Sequence, residues 1–500
     1  MELEQVKNKF YEILEKNRAY NYSMSLIYWD GATGAPKKAV DDRSKILGIL
    51  AGEVFKLTLS QEMKECLIAL EKESDSLDKI TNALVKEVRK KHDKFTKIPK
   101  EEYREYVELL SKSKVVWEEA KNKSDFSMFQ PYLEKIIRTL RKFVEYRGYT
   151  SHPYNTLLDD YEPGMTVEKL DIFFNSLKER IVPLVKRLQN SDKKIRTNFL
   201  NETYPIEKQK EFSQYLLEKI SFDKEAGMIK ESEHPFTIDF SPRDVRITTH
   251  YFEDNLISAI YSTIHEGGHG LYEQNIGEDI AETILGTGTS MGIHESQSRM
   301  YENLFGRNIN FWRHLYPKLI EIFPEQLSNI SVNEFYEAVN KSENSLVRIE
   351  ADELTYSLHI MLRYEIEKML IEGRIEVKDL PRVWNSKMEE YLGIIPPNDK
   401  KGVLQDVHWS DGLFGYFPSY ALGNVYAAQF EQTMRKSLDI DKLLMKGEFD
   451  KILEWLREKI HRHGSLKKPN EIIKDVTGED LNPIYFIEYL ENKFEKLYNL

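Results

Sequence analysis

The chain has 500 residues, 41% of them apolar, 12% aromatic and 31% charged. Its single cysteine, Cys66, excludes a disulfide-stapled scaffold, and its apolar content supplies a large packed core that a disordered chain lacks. Acidic side chains outnumber basic ones by 83 to 71, a net charge of −12, which argues against nucleic acid as a partner because phosphate binding needs a basic face.

The first residues mix Glu and Lys with apolar positions at helical spacing, which predicts an amphipathic helix over 2–28 rather than a signal peptide. No apolar run approaches the length of a membrane span. With one unpaired cysteine, the expected location is the cytoplasm. Helical periodicity continues over 40–57, 76–94, 99–121, 129–146 and 166–190. Within 129–146, Leu133, Ile136, Ile137, Leu140 and Phe143 form one apolar stripe, with Lys and Arg on the other face. Further helices are predicted over 206–220, 252–274, 290–306, 332–341, 346–371, 379–391, 419–437, 449–460 and 482–498.

Three segments break the pattern. Residues 231–250 alternate apolar and polar and read as a short hairpin. Residues 275–290 are a loop rich in Gly and Thr. Residues 394–418 carry Pro396, Pro397, Gly402, Gly412 and Gly415 and read as a long irregular connection. No linker, repeat or low-complexity tract divides the chain, so the reading is one large, mainly α domain over 1–500 with a small β element. Long loops in a compact helical protein are usually functional.

The sharpest chemical signal lies beside these breaks: His265-Glu266-Gly267-Gly268-His269. Residues four apart on a helix share a face, so two imidazoles there can hold one zinc ion while the glutamate between them reaches a water on it. The motif is expected by chance about 0.03 times in a chain of this composition, which disfavours a merely structural histidine pair. Gly267 and Gly268 each cost a helix about 1 kcal/mol relative to alanine, so another backbone or a ligand is expected to approach closely there. A catalytic zinc takes a third protein ligand. The candidates are Glu273, Glu278, Asp279, Glu282, Glu295 and Glu302, and Glu295 is best placed, at the start of a helical segment past a glycine-rich loop.

Around this centre the sequence resembles the carboxypeptidase Taq family of metallocarboxypeptidases. The motifs that carry the resemblance occur in order. They are Tyr28-Trp29-Asp30, His234-Pro235-Phe236, Asp244-Val245-Arg246-Ile247-Thr248, His265 to His269, His294-Glu295-Ser296-Gln297, Val347-Arg348-Ile349-Glu350-Ala351-Asp352, and Gly402-Val403-Leu404-Gln405-Asp406-Val407-His408-Trp409. One departure is Gly31-Ala32-Thr33-Gly34-Ala35-Pro36, where the family has a Met- and Pro-rich stretch. The resemblance implies a helical, saddle-shaped fold with a deep groove between two lobes, similar to neurolysin and angiotensin-converting enzyme. It implies a homodimer that releases single residues from peptide C-termini with broad specificity. It also implies zinc, with cobalt as a substitute.

Such an enzyme must hold a terminal carboxylate, and the planar fork of an arginine matches one. Arg246 and Arg348 are the candidates, each with an alternative structural role paired to its own motif's acid, Asp244 or Asp352. The resemblance places the Arg246 segment at the closed end of the groove. His408 and Tyr420 are the expected oxyanion donors, over Trp409 and Phe414. His234 and His294 join the substrate-binding group, the first as a loop anchor and the second as an orienting residue, with no chemical step assigned to either. Two competing readings are a neurolysin-like oligopeptidase and a non-catalytic, zinc-stabilised peptide-binding protein. Glu266 argues against the second, since a structural site needs no general base.

Overall fold

The computed structural model describes residues 2–500 and is mostly helical, with one three-stranded sheet. Buried apolar side chains from Val6 to Tyr498 form one continuous core. No described helix is long and apolar enough to cross a membrane.

Side-chain caps set the helix starts that decide the site. Asn255 accepts from the Ser258 N–H, so the predicted helix over 252–274 begins at Leu256 and runs to Gln274. Asp352 accepts from the Leu354 and Thr355 N–H groups and starts the helix Glu353–Glu372. The predicted helix over 346–371 is therefore shorter at its front, and Arg348 lies in a separate 3₁₀ turn, Arg348–Glu350. The predicted 290–306 divides into the α-helix Met291–Arg299 and a π-helical stretch, Met300–Phe305. Four helices of seven residues or more occur outside the predicted spans: Gln61–Lys72, Ile309–Ile322, Ile440–Lys446 and Pro469–Thr477.

The expected hairpin is present as β2 (Thr237–Ser241) antiparallel to β3 (Asp244–Thr249). A further strand, β1 (Gly227–Glu231), pairs in parallel with β3, with Gly227 opposite Val245. The order is β1-β3-β2, so β2 is an edge strand. β2 and β3 pack on the helix Leu256–Gln274. A groove of about 1400 Å³ opens above them. Its lining comes from residues within 235–239, 265–269, 287–295 and 416–420 and within 87–97 and 147–166.

Candidate metal centre and active site

His265 and His269 stand one turn apart on the helix Leu256–Gln274, and both line the groove. The glycines between them answer to close packing. A Cβ on Gly268 would lie 2.8 Å from the Gln297 carbonyl oxygen and from Ser298 Cα, and one on Gly267 would lie 2.7 Å from Ile220 Cδ1. The expected backbone approach is thus made by the returning helix Met291–Arg299, which Ser290 caps through the Ile293 N–H.

That return brings in Glu295. Its Oε2 lies 3.9 Å from His265 Nε2 and 3.6 Å from His269 Nε2. One donor atom from each of the three residues falls within 4.8 Å of the others. Donors about 2.0–2.2 Å from a tetrahedral ion lie roughly 3.3–3.6 Å apart, so this set fits a divalent ion with coordination left over. The remaining polar atoms are already engaged, as ligands require. His265 Nδ1 meets Glu302 Oε2 at 2.7 Å. His269 Nδ1 meets His294 Nδ1 at 2.6 Å, and His294 Nε2 meets Glu273 Oε1 at 2.7 Å. Arg299 Nε donates to Glu295 Oε1 at 2.7 Å and its Nη1 to Glu302 Oε2 at 3.1 Å, which leaves Glu295 Oε2 facing the histidines.

Charge follows this wiring. Burial alone would raise Glu295, but Arg299 and the two imidazoles outweigh it and hold the carboxyl well below the usual range. Burial pushes His269 down to about 3, which keeps the ring neutral. Glu266 is buried, and that burial raises its carboxyl above the ordinary value against the pull of His265 and Thr237. Thr237 Oγ1 donates to Glu266 Oε2 at 2.6 Å, so the edge strand β2 fixes the glutamate between the two histidines.

Packing also fixes the candidate third ligand, Glu295. Gly423, on the helix Phe417–Met434, lies against Glu295, and a Cβ there would overlap the glutamate side chain. Gly423→Ala should weaken metal retention roughly 10- to 100-fold, read by competition with a chelator. Unchanged affinity would mean that the contact does not position Glu295.

Tyr416, Ser419 and Tyr420 line the groove from the start of this helix. His408 sits behind Tyr420, with Nε2 3.4 Å from its Oη, and burial pushes the imidazole down to about 4. Trp409 and Phe414 stack at 6.0 Å. Arg348 also lies behind Tyr420, its guanidinium 5.0 Å from the ring centroid, and is only 7% exposed. Its acid is Asp406, not Asp352: Nε donates to Asp406 Oδ1 at 3.0 Å and Nη1 to Tyr356 Oη at 3.2 Å. Arg246 donates twice to Asp244, at 2.7 Å each, over the Phe240 ring and outside the groove lining. His234 is exposed, and its carbonyl accepts from Ser232 Oγ at 2.6 Å, as a loop anchor would.

The groove lining therefore gathers His265, Glu266, His269, His294, Glu295 and Tyr420, with His408 and Arg348 packed against Tyr420 outside that lining. Glu273 and Glu302, read as candidate ligands, instead back His294 and His265. Thr237 and Arg299 were not singled out by the sequence. Arg299 is signalled by its spacing of four from Glu295, which puts both on one helix face.

The family described as "Carboxypeptidase Taq (M32) metallopeptidase" matches residues 9–494. The chain belongs to the carboxypeptidase Taq family. Carboxypeptidase 1 of Bacillus subtilis is 48% identical over 501 residues, covering 100% of both chains. Thermostable carboxypeptidase 1 of Thermus thermophilus is 38% identical, covering 97% of each. The crystal structure of a carboxypeptidase of this family from Deinococcus radiodurans superposes with a TM-score of 0.96 at 34% identity, over 99% of this chain and 100% of that one. The metallocarboxypeptidase reading is thus favoured over the oligopeptidase one for this carboxypeptidase Taq family member.

Proposed function

We propose that this metallocarboxypeptidase is a zinc enzyme that releases single residues from peptide C-termini with broad specificity. The observation that carries the reading is the His265, His269 and Glu295 donor set, with Glu266 buried beside it in the lining of a groove of about 1400 Å³. Zinc held by these three residues, with cobalt as its expected substitute, would polarise the scissile carbonyl and acidify the attacking water.

The chain's own residues supply the rest. Glu266 takes the water proton at Oε1, since Oε2 is committed to Thr237, and passes it to the leaving amine nitrogen. Burial favours this role, because a raised carboxyl holds the proton long enough to deliver it. Tyr420 Oη, steadied by neutral His408, donates to the developing oxyanion. Arg348 takes the terminal carboxylate. Its Nη2 has no acceptor among the described residues and its guanidinium lies against Tyr420, which lines the groove, whereas Arg246 gives Nε and Nη2 to Asp244 and packs on Phe240. Holding that carboxylate puts the last peptide bond, not an inner one, against the water. The family resemblance puts the Arg246 segment at the groove's closed end, His234 anchors its loop through its carbonyl, and His294 orients His269. We read residues 1–500 as one catalytic domain with two helical lobes, working as a cytoplasmic homodimer; the family resemblance supports this assignment.

One experiment tests the reading. An N-terminally blocked peptide, digested and followed by mass spectrometry, should give a ladder of single-residue losses from the C-terminus. After chelation the ladder should vanish while most helical circular dichroism remains, because a continuous apolar core does not depend on one ion. Internal cuts, or wholesale unfolding on chelation, would count against it.

A further inference from the structure

The groove carries one carboxylate that the mechanism does not use. Asp239 lies on the edge strand β2, two residues beyond Thr237. Alternate strand residues share a face about 7 Å apart, so Asp239 stands one step along the wall from the residue that fixes Glu266. It lines the groove with His294 and Glu266.

The other groove carboxylates are matched within the protein. Asp159 and Asp160 hold Lys90 and Arg147, Glu87 holds Lys468, and Asp93 meets Arg89. Glu266 accepts from Thr237, and Glu295 from Arg299. Asp239 alone has no side-chain hydrogen bond or ion pair among the described residues. Its nearest basic neighbour cannot serve it, because both ring nitrogens of His294 are committed, to His269 and Glu273. Glu273 is itself satisfied by Thr287 Oγ1 at 3.0 Å and the Gly288 N–H at 2.9 Å, so its charge only adds to the negative field. Burial, with Glu273 adding, pushes the Asp239 carboxyl up to about 7, a cost that an entering cation would relieve. A partly buried carboxylate left without a donor beside a reacting bond is matched by a donor that arrives with the ligand.

We propose that Asp239 is a specificity residue that pairs a cationic nitrogen of the substrate, either the side chain of a Lys or Arg adjoining the scissile bond or the free α-amino group of a short peptide. The inference rests on the peptidase reading above. It predicts a preference among peptides that broad specificity alone does not.

The test compares the metal-loaded protein and its Asp239→Asn variant on two peptide sets. The first is N-blocked tripeptide acids with Arg, Lys, Leu or Glu at the last or penultimate position. The second is neutral di- and tripeptides with a free or an acetylated amino end. The unmutated protein should favour the cationic member of a set by about tenfold or more in kcat/KM, and the Asn variant should lose that ratio. Preference in the first set assigns the side chain, and preference in the second assigns the amino group. Asp239→Lys should turn the preference toward Glu, which guards against a variant that merely packs badly. Calorimetric affinities measured on the Glu266→Gln background give the same comparison without turnover. Internal cleavage would therefore overturn the carboxypeptidase reading while the binding ratios still decide Asp239. Equal ratios in the unmutated and Asn proteins, or no cationic preference in either set, would overturn the proposal.

Discussion

Replacing Glu266 with Gln should cost at least about 10² in kcat, roughly 2.7 kcal/mol of barrier, while leaving metal content intact. The reasoning is geometric. Gln keeps the shape of Glu, and its amide oxygen can still accept from Thr237 Oγ1, which donates at 2.6 Å in the native site. The proposed ligands are untouched, because His265, His269 and Glu295 are held by Glu302, His294 and Arg299, none of which contacts Glu266 by a hydrogen bond. The substitution removes only the carboxylate proposed to accept and return the proton. The loss should appear in kcat more than in KM, because proton transfer belongs to the transition state and not to peptide binding. Elemental analysis of the variant checks metal, and steady-state kinetics checks rate. A variant with full metal and nearly native kcat would mean that another group carries the proton. Asp239, the other groove carboxyl raised by its surroundings, would be the first to examine.

Much of this site is legible in the chain because its chemistry is written at short range. Two histidines and a glutamate in five residues specify one helix face, and the paired glycines signal the close approach that the Gln297 and Ser298 backbone makes. Helical class is equally local. Even the unpredicted helix Gln61–Lys72 carries its apolar residues, Met63, Cys66, Leu67 and Leu70, at helical spacing. What is not legible depends on residues far apart. Asp352 looks like a salt-bridge partner for Arg348, but its side chain is consumed in capping a helix. The acid that Arg348 uses, Asp406, lies 58 residues on and meets it only in the folded chain. Strand β1 has no hairpin partner in sequence, since parallel pairing needs a crossover rather than a turn. Gly423 gives no local hint of its role, because the side chain it makes room for arrives on another helix.

The exopeptidase character itself should rest on Arg348, and a double-mutant cycle separates it from Arg246. Each arginine is truncated to Ala, and each variant is assayed on a peptide acid and on the matching C-terminal amide. A terminal carboxylate held by a buried guanidinium gains about 1.5–3 kcal/mol, which is roughly ten- to a hundredfold in kcat/KM. Arg348→Ala should remove that gain on the acid and hardly affect the amide. Arg246→Ala should slow both alike, because its fork is closed on Asp244 and its ring contacts are to Phe240 and Trp29. The Arg348 truncation is interpretable because it does not strand a buried charge. Asp406 keeps Arg363, whose Nε donates to it at 2.7 Å, and the two arginines together hold Asp406 well below the usual carboxylate range. Arg348 also stacks on Tyr420, so part of its loss could reach the oxyanion donor. The amide controls for that, since a disturbed Tyr420 slows acid and amide equally. Strong coupling between Arg348 and the carboxylate therefore reads carboxylate recognition alone. Equal slowing of acid and amide by Arg348→Ala would move that task to a group in the groove lining. Equal cleavage of acid and amide by the unmutated protein would remove the need for a carboxylate site at all.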